Sequence, residues 1–207
     1  MSNLINADFF KNIKLLLRPK LLIPHIYVKS TFEAVRFFDG MNVTSVIFDI
    51  DQTLVPYTVS TVSEEMLTLI QSIKSKYKCC ILSNFPKNDS SIKRLKNIEE
   101  QTGLKIISSN MKKPDASAFK AALNYMQAEP TKTVMVGDRI LTDIIGANNV
   151  KIKTILVNPL NWRTDPFFMV TLPRILELIL FKIFQPFYVK GALNEQRKYT
   201  NEFKTKK

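Results

Sequence analysis

A single histidine and two cysteines stand in 207 residues, and that scarcity removes several kinds of chemistry at once. One imidazole, His25, gives no material for a histidine-based nucleophilic triad or for a zinc cluster, and a structural place is expected for it. Cys79 and Cys80 are adjacent, so on a strand they point to opposite faces and are poorly placed to bridge. They read as small buried apolar residues without a disulfide framework, which suits a reducing compartment. No stretch reaches the roughly 18 uninterrupted apolar residues of a transmembrane helix. No secretory signal is expected either, because Asp8 and interspersed charges break up the N-terminal apolar residues. Gly/Ser linkers and internal repeats are lacking. So are basic stretches interleaved with aromatics, which makes an RNA-binding module the weakest reading of the lysines.

What is abundant is positive charge. The formal net charge is +12, distributed as +3 over residues 1–44, +4 over 45–165 and +5 over 166–207. Four acids of the central segment belong to the candidate site described below, so the surface is basic and favours an anionic partner. The length fits one domain with added segments.

Periodicity places strands near 44–49, 79–82, 104–107, 133–136 and 153–157, separated by helices near 62–77, 88–102, 115–127 and 140–148. This alternation predicts an α/β fold with a doubly wound, Rossmann-like parallel sheet. Ser63 with Glu64 and Glu65, and Asp89 with Ser90 and Ser91, supply oxygen acceptors at two helix starts.

The most informative stretch runs from Val46 to Val55, where an apolar strand meets Asp49 and Asp51. Spaced i, i+2, the two carboxylates lie on one face of a strand, at the edge where open α/β sheets hold ligands. Crowded acids repel unless a cation or proton sits between them, which suits a nucleophile and a general acid around Mg²⁺. A second apolar strand ends in Gly137-Asp138, with Asp143 five residues on. Between them a strand ends at Ser83-Asn84, and Lys112-Lys113-Pro114-Asp115 opens a helix, with Pro114 expected at its first position.

In that order, Asp49-x-Asp51-x-Thr53, Ser83, Lys113-Pro114 and Gly137-Asp138-x4-Asp143 resemble the four motifs of the haloacid dehalogenase (HAD) superfamily of phosphatases, over roughly residues 43–160. The flanks, Leu17 to His25, Gly137 to Asp143 and Asp165 to Phe168, resemble its capless IIIA branch, which includes the phosphatidylglycerophosphate phosphatases. Gln52 stands where Asn is common there, and Arg139 where Gln is common. The resemblance implies Asp49 as nucleophile, Asp51 as general acid and base, and Thr53 fixing the turn. It implies Ser83, Asn84, Lys113 and Arg139 around the phosphoryl group, and Mg²⁺ held by Asp49, Asp51, Asp138 and Asp143. One helix between Asp51 and Ser83, and one helix and one strand between Ser83 and Lys113, leave no room for a cap domain. An open site of that kind accepts a bulky or surface-embedded substrate.

The expected organisation is an apolar and basic segment at 1–42, a phosphatase core at 43–165, and an amphipathic helix with a basic tail at 166–207. Over 173–185 the polar positions Arg174, Glu177, Lys182 and Gln185 gather within an arc of roughly 140°, beside a broad apolar face. With the tail from Lys190 to Lys207 this suits an anionic membrane interface. The leading expectation is a Mg²⁺-dependent lipid phosphatase acting on phosphatidylglycerophosphate, peripheral to a membrane in the cytoplasm or, in a eukaryote, on the mitochondrial matrix face. The alternative is a soluble phosphatase of the same mechanism acting on a small metabolite or a phosphoprotein.

Overall fold

The computed structural model describes residues 18–86, 88–107, 112–161, 163, 175, 177, 179, 182 and 183. The expectations for residues 1–17, for Asp165 to Phe168, and for Arg174, Gln185 and the 190–207 tail lie outside these.

Five parallel strands form the sheet: β1 (Ile26–Val28), β2 (Ser45–Phe48), β3 (Lys78–Ile81), β4 (Thr133–Gly137) and β5 (Lys153–Val157), in the spatial order β1-β5-β4-β2-β3. Four of the five expected strands are present. The fifth, 104–107, is reduced to a single bridge between Ile106 and Ile81. Its partner β3 ends at Ile81, so pairing has nowhere to propagate. In its place β1 occupies the opposite edge, in register with β5 from Ile26↔Ile155 to Val28↔Val157. Three residues carry too little alternation to be recognised as a strand. His25 takes the structural place expected of it: its Nδ1 accepts from the Thr154 amide at 3.2 Å and lies 2.9 Å from Thr154 Oγ1.

The connecting helices are α1 (Thr31–Ala34), α2 (Glu64–Lys74), α3 (Asp89–Thr102), α4 (Ala116–Met126) and α5 (Ile145–Asn149). Ser63 caps α2 by accepting from the Met66 amide, and Asn88 caps α3 by accepting from Ser91. Both leave acids in the first turn, where the helix dipole favours them. Met66, Ile70 and Ile73 bury one stripe of α2, and Leu95, Ile98 and Thr102 one stripe of α3. Gly103 ends α3 at φ +61°, a conformation that costs a glycine nothing.

Strand alternation divides the core into two layers. Val46 and Phe48 join Val134, Val136 and Ile155 under α2 and α3, whereas Ile47 joins Cys80, Met135 and Phe119 under α4. Cys79 packs against the first layer and Cys80 lies within the second, the opposite-face arrangement expected of neighbours on a strand.

Candidate active site

β2 runs to β3 on one side and lies against β4 on the other. The sheet therefore reverses its winding between β2 and β4, the position at which open α/β sheets form a ligand crevice. Register aligns Phe48 with both Ile81 and Val136. Asp49, Leu82-Ser83 and Gly137-Asp138 consequently leave the sheet together at its carboxyl edge.

After β2 the chain turns sharply. The amides of Thr53, Leu54 and Val55 all donate to the Ile50 carbonyl, at 3.2, 2.9 and 3.1 Å, and Gln52 N donates to Val55 O at 2.7 Å. The Thr53 hydroxyl is buried without a hydrogen-bond partner among the described residues, so the backbone bonds close this turn. Thr53 contributes its carbonyl, which accepts from Thr31 Oγ1 at 2.8 Å. Gln52 sits at φ +64°, and its side-chain amide makes a two-way clamp on Asn161, donating to the carbonyl at 2.8 Å and accepting from the amide at 2.7 Å.

Lys113 lies at the centre of the cluster. Its buried ammonium donates to Asp49 Oδ1 and to Asp143 Oδ1, each at 2.7 Å. Burial alone would push this ammonium down, but the facing Asp143 and Asp49 carboxylates outweigh that and hold it above its ordinary value. Asn84 fixes the backbone of Lys113 by accepting from its amide at 2.8 Å and donating to its carbonyl at 2.9 Å. The Lys113–Pro114 peptide is cis. Pro114 precedes the helix instead of opening it: Asp115 is the cap of α4, accepting from the Ser117 amide at 2.8 Å.

Asp143 belongs to a π-helical turn, Ile140–Ile144, which replaces the regular helix expected from 140. The amides of Asp143 and Ile144 share the Arg139 carbonyl at 3.0 and 3.2 Å. Asp143 Oδ2 accepts from the Arg139 amide at 3.1 Å. Burial drives the Asp143 carboxyl above the usual carboxylate range, against the opposing pull of Lys113. A Cβ at Gly137 would fall on the Asp143 carboxylate, so any side chain here must displace that carboxylate.

Asp49, Asp138 and Asp143 are all buried, and each offers an oxygen within 4.8 Å of the others'. Three carboxylates against one ammonium leave a surplus of negative charge, presented through hard oxygen donors. That donor set fits a hard divalent cation such as Mg²⁺.

Asp51 stands apart from this triad. Its carboxylate is held by Arg94 of α3, with Nη2 to Oδ1 at 2.7 Å and Nη1 to Oδ2 at 3.5 Å, while Arg94 Nε donates to Val59 O at 2.9 Å. Burial raises the Asp51 carboxyl above its ordinary value. Arg94 works against that rise and Asp49 adds to it. A raised carboxyl retains a proton to higher pH, as a general acid requires.

A cavity of about 340 Å³ is lined by Asp49, Asp51, Ser83, Lys113, Asp138 and Arg139, with Asn84 on its wall. Of the residues singled out in the sequence, Thr53 and Asp143 do not line it; both are fully buried behind it. Two residues of the site went unrecognised. Arg94 carried no signal beyond being basic. Glu177, grouped in sequence with the polar arc of 173–185, is 1% exposed. It accepts from Arg139 Nε at 2.9 Å, Arg139 Nη2 at 2.7 Å and the Ile140 amide at 3.0 Å. With Glu177 turned inward, Ile175, Ile179 and Ile183 of the same helical stretch face outward beside exposed Lys182.

Comparison with known proteins adds to this geometry. The family model described as mitochondrial PGP phosphatase matches residues 5–161. Over 142 residues the chain is 30% identical to the probable phosphatase YqeG of Bacillus subtilis (strain 168), spanning 68% of this chain and 79% of that protein. It is 28% identical over 174 residues to phosphatidylglycerophosphate phosphatase 1, chloroplastic/mitochondrial, of Arabidopsis thaliana. That match covers 79% of this chain and 48% of the plant protein, about half its length. An uncharacterized protein from Listeria monocytogenes serotype 4b has a crystal structure that aligns with a TM-score of 0.48 at 27% identity, over 68% of this chain and 99% of that one.

Proposed function

The chain belongs to the mitochondrial PGP phosphatase family and is a HAD-type phosphatase, and from that premise we propose that it hydrolyses phosphatidylglycerophosphate to phosphatidylglycerol at an anionic membrane surface. The observation that carries the reaction class is Lys113 bridging Asp49 and Asp143 beside Asp138.

Asp49 attacks phosphorus in line with the departing alcohol. A bond forms between its carboxylate oxygen and phosphorus as the bond to the alcohol oxygen breaks, giving an aspartyl-phosphate. Asp51 donates its proton to that leaving oxygen, then accepts one from the water that attacks phosphorus in the second step. Asp49 is thereby released and inorganic phosphate departs. Lys113 and Ser83 face the equatorial oxygens, where charge is stabilised by donors already in position. Asp49, Asp138, Asp143 and the Asp51 backbone would hold Mg²⁺, which neutralises the clustered acids and the phosphoryl charge when bound.

The surface supports a lipid setting for the substrate. Ile175, Ile179 and Ile183 recur at helical spacing, are 43%, 48% and 53% exposed, and flank Lys182. An apolar stripe edged by positive charge on a chain of net charge +12 matches an anionic bilayer surface. No helix among the described residues is long and apolar enough to cross a membrane. The test is phosphate release from phosphatidylglycerophosphate in anionic liposomes, with and without Mg²⁺, using Asp49→Asn as the blank. Metal-dependent turnover that disappears in the variant is expected. Turnover of soluble phosphomonoesters alone would move the substrate into solution.

A further inference from the structure

A second, larger cavity of about 850 Å³ opens from the catalytic one. The two share Asp51, Tyr57, Asn84, Phe85 and Pro86, so they adjoin along these residues with Asp51 at the junction. At one end lie Asp49 and the buried triad. At the other, α3 contributes Lys93, Arg94 and Lys96, with Glu100 the only carboxylate besides Asp51 among the described lining residues.

The proton donor fixes the direction of the substrate. Phosphorus must lie against Asp49, and the alcohol oxygen that leaves must face the acid that protonates it. The Arg94 fork orients Asp51 toward this junction. Atoms attached to the leaving oxygen therefore run past Asp51 into the larger cavity, away from Lys113. Tyr57 and Phe85 offer apolar surface on that route. Beyond them the cationic groups lie in unequal states: Arg94 is committed to Asp51 and Lys96 faces Glu100 at 3.9 Å. Lys93 has no ion-pair partner among the described residues.

We infer that this cavity binds the alcohol half of the substrate and selects alcohols that carry a second phosphate, taken up by Lys93 and Lys96. The inference rests on the phosphatase reading above and deepens it. It requires two phosphates separated by a short linker, whether the second is a free monoester or the diester of a lipid.

The experiment separates those sources. In the full chain carrying Asp49→Asn, which binds without turnover, calorimetry compares glycerol 1,3-bisphosphate with glycerol 3-phosphate. The two ligands share the same alcohol and differ only in the second phosphate. The bisphosphate is expected to bind about tenfold more tightly, the scale of one or two charge-assisted contacts in an open groove. Adding Lys93→Ala with Lys96→Ala removes most of that preference. Lys120→Ala, an exposed lysine on α4, leaves it intact. Equal affinities, no binding of either ligand, or a preference that survives loss of both lysines would overturn the inference. Liposome turnover by the unmodified chain reports separately on the lipid. A bisphosphate preference without lipid hydrolysis sustains the groove and refutes the membrane substrate.

Discussion

Replacing Glu177 by glutamine tests whether the C-terminal helical residues are bound to the catalytic edge. The side chain keeps its volume, so no cavity is made, but its charge is lost. One oxygen then remains for three donors: Arg139 Nε, Arg139 Nη2 and the Ile140 amide. Removing one partner of a buried ion pair costs about 3–5 kcal/mol. Arg139 retains 19% side-chain exposure and can recover part of its hydration, which lowers the expected loss to about 2–3 kcal/mol. For a chain of this size that is a fall in Tm of roughly 5–10 °C. Urea unfolding followed by circular dichroism should show a lower midpoint at unchanged slope. A double-mutant cycle with Arg139→Gln should return a coupling of about 1–2 kcal/mol. A change below about 0.5 kcal/mol with no coupling would refute the docked arrangement.

Lys113→Met should reduce phosphate release by at least about 100-fold while far-UV circular dichroism stays native. A loss of less than threefold would remove Lys113 from the machinery. Arg94→Gln frees Asp51 from its fork, so hydrolysis of glycerol phosphates should slow by about tenfold more than hydrolysis of p-nitrophenyl phosphate, whose phenolate departs without a proton. Equal slowing would mean that Arg94 acts elsewhere. Gly137→Ala forces the Asp143 carboxylate aside and should destabilise by about 1–3 kcal/mol in urea titrations. An unchanged midpoint would show that Asp143 is not locked in place.

The acid pair, the hydroxyl strand end and the second acid pair were legible because each sits where an apolar run stops, and the lysine because Pro114 and Asp115 mark a helix start beside it. Local pattern reports such stops directly. Arg94 and Glu177 were not legible, since they meet Asp51 and Arg139 across 43 and 38 residues, and nothing local distinguishes them from solvated charges. Glu177 shows the cost of an amphipathic projection: a wheel groups polar positions without saying which is claimed by a buried arginine. The regular helix expected from 140 fails for a related reason. Asp143 is drawn toward Lys113 and the Arg139 amide, and the backbone opens by one residue to let it reach. Gln52, conspicuous in sequence only as a departure, proves to anchor the loop at Asn161.

The edge strand β1 has a consequence for how the chain is made. Its partner β5 is the last of the described strands to leave the ribosome, and His25 meets Thr154 across 129 residues. At about 5–20 residues per second of synthesis, residues 26–28 wait roughly 6–26 s for their partner. During that interval the β2–β3 pair can form, but the nascent sheet lacks both β4 and β5, and the crevice between β2 and β4 does not yet exist. Phosphatase chemistry can begin only after the entire core has been translated, and an early pause in translation leaves an apolar strand open to wrong partners.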